Sequence, residues 1–119
     1  MTTKLDSSQN DTIKEARKKD ARSLIRSARL ERLKGNLRTA AFKRSDAGDM
    51  LRRAGEPKKA LRQYRIAVNY HLRDANKKIR KNPESFLAQD SLSWALRETY
   101  RIRDVLNELS PPIQNTRAL

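Results

Sequence analysis

The sequence predicts an all-α fold, on three observations. Apolar residues recur at intervals of three and four along most of the chain, the period of a helix with one buried face. No stretch of β-branched residues alternates with the period of two that a half-buried strand needs. Three glycines and four prolines in 119 residues leave little turn material, so the elements must be few and long. A chain of this length supports one modest core. With 36% hydrophobic and 5% aromatic residues, that core is built from leucine and alanine and is thin.

The elements are taken in chain order. Residues 1–10 are polar and contain the Ser7-Ser8-Gln9-Asn10 cluster, which reads as a disordered N-terminus. Residues 11–35 form a basic N-terminal helix, with Asp11 as N-cap and Ile13, Ala16, Leu24, Ile25, Ala28 and Leu33 at helical spacing up to Gly35. Lysine and aspartate interrupt its apolar stripe, so the pattern leaves open whether it docks or projects. Residues 36–109 form a three-helix bundle. Its first helix carries Leu37, Ala40, Ala41, Ala47, Leu51 and Ala54 and stops at Gly55, suited to the left-handed position after a helix C-terminus. Pro57 then starts the middle helix, where its fixed φ and missing N–H are no handicap. The two make a tight antiparallel hairpin.

The middle helix is the most polarised segment. Residues 57–81 hold nine lysines and arginines against one acid, Asp74. At about 100° per residue, Leu61, Tyr64, Val68, Leu72, Ala75 and Ile79 share one arc, flanked by Ala60, Ala67 and His71. Lys58, Lys59, Arg62, Arg65, Arg73, Lys77, Arg80 and Lys81 fill the opposite arc, with Ile66 and Tyr70 among them. Asn82 as N-cap and Pro83 at the first helical position open the last helix, which carries Leu87, Leu92, Ala95, Leu96, Tyr100, Leu106 and Leu109. It ends before Pro111-Pro112, and residues 110–119 are a flexible C-terminal tail.

The formal net charge is +14, from 28 basic and 14 acidic residues. Counted by segment, residues 1–35 carry +5, residues 36–82 carry +10 and residues 83–119 carry −1. The positive field therefore belongs to a folded surface rather than to a loose tail, and it calls for a negative partner.

Two helical families share parts of this pattern. The run Ala54-Gly55-Glu56-Pro57-Lys58-Lys59-Ala60-Leu61-Arg62-Gln63-Tyr64-Arg65-Ile66-Ala67-Val68, preceded by Ala47-Gly48, resembles the hairpin of a tetratricopeptide repeat, whose small residues let two helices approach closely. Arg44 stands where that family has its first aromatic residue. The stretch 37–109, with Ala60-Leu61, Tyr64, Ala67-Val68, Tyr70 and Leu72 in the middle helix, is similar to MIT (microtubule-interacting and trafficking) domains. That resemblance implies a three-helix bundle that binds short motifs of membrane-remodelling proteins, often beside the third helix.

The expected function is a non-enzymatic adaptor that recruits an acidic protein segment through Lys58, Lys59, Arg62, Arg65, Ile66, Tyr70, Arg73, Lys77, Arg80 and Lys81. Two alternatives use the same charge. The basic helix suits RNA or DNA phosphates, as in a ribosome-associated protein, with Tyr70 stacking on a base. The helix at 11–33 suits attachment to an anionic membrane surface. Tyr70 has a second reading, as packing against the N-terminal helix.

Catalytic chemistry has little to stand on. The absence of cysteine excludes disulfides, thiolate metal sites and cysteine nucleophiles. His71 is the one histidine and is expected to pack rather than to ligate. Carboxylate pairs such as Asp46 with Asp49 and Asp104 with Glu108 are ordinary on helix surfaces, and no Gly-rich phosphate loop, nucleophile elbow or HExxH occurs. No cofactor, metal or small-molecule substrate is expected. No apolar run reaches the roughly 20 residues that span a bilayer. The first ten residues lack a secretory signal's apolar core, and Asp6, Asp11, Glu15 and Asp20 argue against a mitochondrial presequence. A soluble, cytoplasmic protein is the expectation.

Overall fold

A computed structural model describes residues 7–110, and all their regular structure is helical: α1 (Ser7–Leu33), α2 (Leu37–Arg53), α3 (Pro57–Lys81) and α4 (Phe86–Leu109). Each helix packs on the next in sequence, α1 on α2, α2 on α3 and α3 on α4. The expectations for residues 1–6 and 111–119 lie outside the described residues.

The first two turns are set by glycine. Gly35 (φ 86°) and Gly55 (φ 78°) both take the left-handed conformation that side chains disfavour. At each, two backbone bonds close the helix end. Gly35 N–H reaches Arg32 O and Asn36 N–H reaches Glu31 O, both at 2.9 Å; Gly55 N–H reaches Arg52 O at 3.1 Å and Glu56 N–H reaches Leu51 O at 2.8 Å. This is the Schellman arrangement, and Pro57 then opens α3 as its spacing predicts.

Two boundaries differ from the sequence reading. Helix α1 begins at Ser7, so Asp11 lies inside it rather than at its cap, and residues 7–10 are helical. Nothing in Ser-Ser-Gln-Asn forbids helical φ and ψ. The start of α4 is also displaced: Asn82 ends α3, and Ser85 caps α4 by accepting the Ala88 N–H at 3.2 Å. The Asn82-Pro83 pair makes a turn instead. Ser85 N–H bonds to Asn82 O at 2.9 Å, and Asn82 Oδ1 accepts the Glu84 N–H at 3.1 Å. Proline in the second position of a four-residue turn has the same fixed φ that suits a helix start, so one dipeptide serves either use.

The core is made of small residues. Ala21 and Ala28 of α1, Ala40, Ala41 and Ala47 of α2 and Ala60 and Ala67 of α3 are fully buried. They form two adjoining clusters, one with Leu51, Leu61, Tyr64 and Val105, the other with Tyr70. Helix α1 is thus docked. At Gly48 a side chain would collide with the buried Tyr64 ring, so this glycine sets how closely α2 and α3 approach.

The buried faces of α3 and α4 are rotated from those expected. On α3, Gln63 and Tyr70 are buried while Leu72 and Ile79 are exposed. Helix α1 covers the Tyr70 side of α3 and shifts the enclosed arc towards it. On α4, Leu87, Leu92, Leu96, Tyr100 and Leu106 are exposed; the packed face is Ala88, Ser91, Ala95, Glu98 and Val105. Those positions, with half-buried Ile102 and Leu109, repeat at alternating intervals of three and four, and their small side chains bring α4 close to its neighbours.

Candidate functional site

Helix α3 carries its basic residues as the spacing predicts. Lys58, Lys59, Arg62, Arg65, Arg73, Lys77, Arg80 and Lys81 are all at the surface, and none has an ion-pair partner among the described residues. Lys78 is the exception on this helix. It turns inward to Asp74 Oδ2 at 2.6 Å, which with Ser91 holds the Asp74 carboxyl below its usual range against the opposing effect of burial.

Helices α1 and α3 flank a cleft of about 390 Å³ with α2 at its floor. Lys18, Arg22 and Arg29 line it from α1, Lys59 and Arg62 from α3, and Arg44 from α2, with no acidic residue in the lining. Ala21, Ile25, Leu51 and Ile66 supply apolar wall between the charges. Lys18 alone among the six is neutralised, by Glu15 and Glu56 at 3.3 Å each.

Three of the expected site residues, Lys59, Arg62 and Ile66, meet in this cleft, and the others lie on α3 outside it. Tyr70 is a correction. Its ring is 6% exposed and packs with Ala28 of α1 and Ala40 and Ala41 of α2, so it cannot stack on a base or anchor a peptide at the surface. The Arg32 and Arg44 guanidiniums stand 5.9 Å and 6.0 Å from its ring centre. The reading in which Tyr70 packs on the N-terminal helix describes it. The same docking uses Ala21, Leu24, Ile25 and Ala28, the apolar stripe that a membrane-lying helix would insert.

The sequence reading missed Arg22, Arg29 and Arg44. Arg22, Arg26 and Arg29 recur at helical spacing beside Ala21, Ile25 and Ala28, a signal that acquires meaning once α1 is known to dock. Arg44 carried a signal of another kind, an arginine inside an alanine-rich core stripe.

The remaining buried polar groups tie helices together. Glu98 is fully buried and accepts from Ser45 Oγ at 2.8 Å and Arg101 Nη1 at 2.6 Å; burial raises its pKa although both partners oppose the rise. Tyr64 donates to Asp49 at 2.5 Å, and burial, reinforced by that bond, raises its hydroxyl pKa. Burial, then neighbouring Asp49, likewise raises Asp46. These links join α2 to α3 and α4. His71 is fully enclosed, with Phe42 edge-on at 5.2 Å and Trp94 stacked at 6.4 Å. Burial, helped by the Arg38 charge, lowers its pKa to about 4.

Among the described residues there is no cluster of potential metal ligands, and no helix is long and apolar enough to cross a membrane. Comparisons with protein-family models, curated proteins and solved structures return no match.

Proposed function

We propose that the chain is a non-enzymatic interaction module, built on an MIT-like or tetratricopeptide-like hairpin, that recruits an acidic protein segment through the basic surface of α3 and the α1–α3 cleft. The observation that carries this reading is the set of eight surface lysines and arginines on one side of α3 that have no ion-pair partner among the described residues. Like charges crowded on one helix repel one another, so such a face gains from an anionic partner. The apolar patches between the cleft's cations favour a peptide over a nucleic-acid backbone, because side chains of a protein segment fill them whereas phosphates and sugars do not. Burial of Tyr70 removes the aromatic platform that single-stranded nucleic acid would use.

The test compares two charge reversals. Arg62→Glu with Arg73→Glu is expected to abolish binding of a fluorescent Glu/Leu-rich peptide, while Arg97→Glu with Arg103→Glu on α4 leaves it intact. Arg101 is unsuitable as a control because it bonds to Ser45 and Glu98. Equal losses from both pairs would show bulk charge rather than a site. Capture that vanishes on nuclease treatment would replace the acidic segment with RNA or DNA.

A further inference from the structure

The cleft between α1 and α3 holds one buried charge, that of Arg44. Arg44 is 6% exposed, gives one hydrogen bond from Nη1 to Gln63 Oε1 at 2.9 Å, and keeps its Nε buried without a partner. No carboxylate pairs with it among the described residues; the Tyr70 ring and the Gln63 amide are its polar company. Glu98, which is fully buried, differs in facing a charge of opposite sign: its Oε1 meets Arg101 and Ser45, while its Oε2 has no partner among the described residues. A guanidinium stays charged at any physiological pH, and removing it from water is unfavourable unless an anion or a full set of acceptors replaces the solvent. Arg44 lines a cleft whose other cations are Arg22, Arg29, Lys59 and Arg62, apart from the neutralised Lys18.

We propose that this cleft binds a phosphomonoester, presented on a phosphorylated side chain of the acidic segment, with Arg44 at the floor and Arg22, Arg29, Lys59 and Arg62 on the walls. The carrier rests on the function proposed above; the phosphate site does not. A carboxylate brings one charge and two oxygens. A phosphomonoester brings nearly two charges and three acceptor oxygens, enough to meet several guanidiniums at once. A phosphodiester has one charge and chain on both sides, so it follows the outer face of α3 and does not reach an enclosed floor. The half-buried Ile25 and Ile66 beside the cations leave room for the carbon stem of such a side chain.

Arginine Nε–H resonances of the full chain, titrated with sodium phosphate at constant ionic strength, read the site directly. A saturable shift at Arg44 is expected, with at least a tenfold loss of phosphate affinity in Arg44→Met and no more than a twofold change in Arg97→Gln, which lies on α4 outside the cleft. Because Arg44 is buried, Arg22→Gln with Arg62→Gln on the exposed walls is the second variant, and the same loss is expected. An Arg44 signal that does not move, a drift that never saturates, or wild-type affinity in the wall variant overturns the site. A phosphoserine peptide should displace phosphate at lower concentration than its aspartate twin, and a 5′-phosphorylated oligonucleotide that outcompetes it overturns the protein carrier. Saturation at Arg44 without binding of any acidic segment upholds the phosphate site and removes the adaptor reading. Acidic-segment binding with a silent Arg44 does the reverse.

Discussion

Replacing Gly48 by alanine should destabilise the native protein and yet stabilise a variant in which Tyr64 has been shortened. A Cβ on Gly48 would lie 2.6 Å from Tyr64 Cε1 and 2.9 Å from Cδ1, well inside contact distance. The ring has nowhere to go, because Tyr64 is fully buried and its hydroxyl is held by Asp49. Overpacking of this kind costs about 1–3 kcal/mol. Against it stands the helix-propensity gain of alanine over glycine, about 1 kcal/mol. The net expectation for Gly48→Ala is a loss of up to about 2 kcal/mol, a fall of up to about 10 °C in Tm for a domain of this size. In a Tyr64→Leu background the ring atoms are gone, and the same change should gain up to about 1 kcal/mol. Urea unfolding followed by circular dichroism measures all four corners of the cycle, with a coupling of about 2 kcal/mol expected. If Gly48→Ala stabilises both backgrounds by the same amount, α2 and α3 do not meet at Gly48 and the packing described for the hairpin is wrong.

Three further outcomes are expected. The neutral, enclosed His71 has a folded pKa of about 4 against an ordinary 6.5, so between these values the unfolded chain binds the extra proton. Its contribution is complete above pH 6.5 and lost as pH falls towards 4, by up to about 3 kcal/mol; His71→Leu should flatten that part of a stability–pH curve, and an unchanged slope would place the imidazole in water. Ala67→Leu, in the fully buried seam, should cost about 1–3 kcal/mol, whereas exposed Leu72→Ala should change stability by only about 0.5 kcal/mol; chemical denaturation showing the reverse order would restore the arc read from the sequence. Ser85→Ala should cost about 1 kcal/mol through loss of the α4 cap, and an Asn82→Ala change with the larger effect on unfolding would return the cap to Asn82.

The number of helices and most of their ends were legible because those signals are local. Gly35 and Gly55 can take positive φ at little cost, and Pro57 suits a helix start, wherever the rest of the chain lies. Asn82-Pro83 misled for the same reason, since a dipeptide equally fit for a cap or a turn is resolved only by the competing cap at Ser85, three residues on. The one-sided charge of α3 was legible too, because lysine and arginine stay at the surface unless something pairs with them.

Which apolar residues enter the core was a tertiary decision. Helix α4 has apolar residues on two faces, and hydrophobicity alone favours Leu92, Leu96 and Tyr100. The face that packs is instead the smaller one through Ala88, Ser91, Ala95 and Val105. Close approach of backbones rewards small side chains and the Ser45–Glu98–Arg101 bonds, and neither effect appears in a one-dimensional pattern. The cleft belongs to the same category. Arg22 and Arg29, Arg44, and Lys59 and Arg62 come from three different helices, and they form one lining because α1 docks on α2 beside α3. The sequence by itself determined the helices and the sign of their surface, which depend on each residue and its near neighbours; the tertiary structure decided which charges face one another, since that depends on how helix surfaces fit.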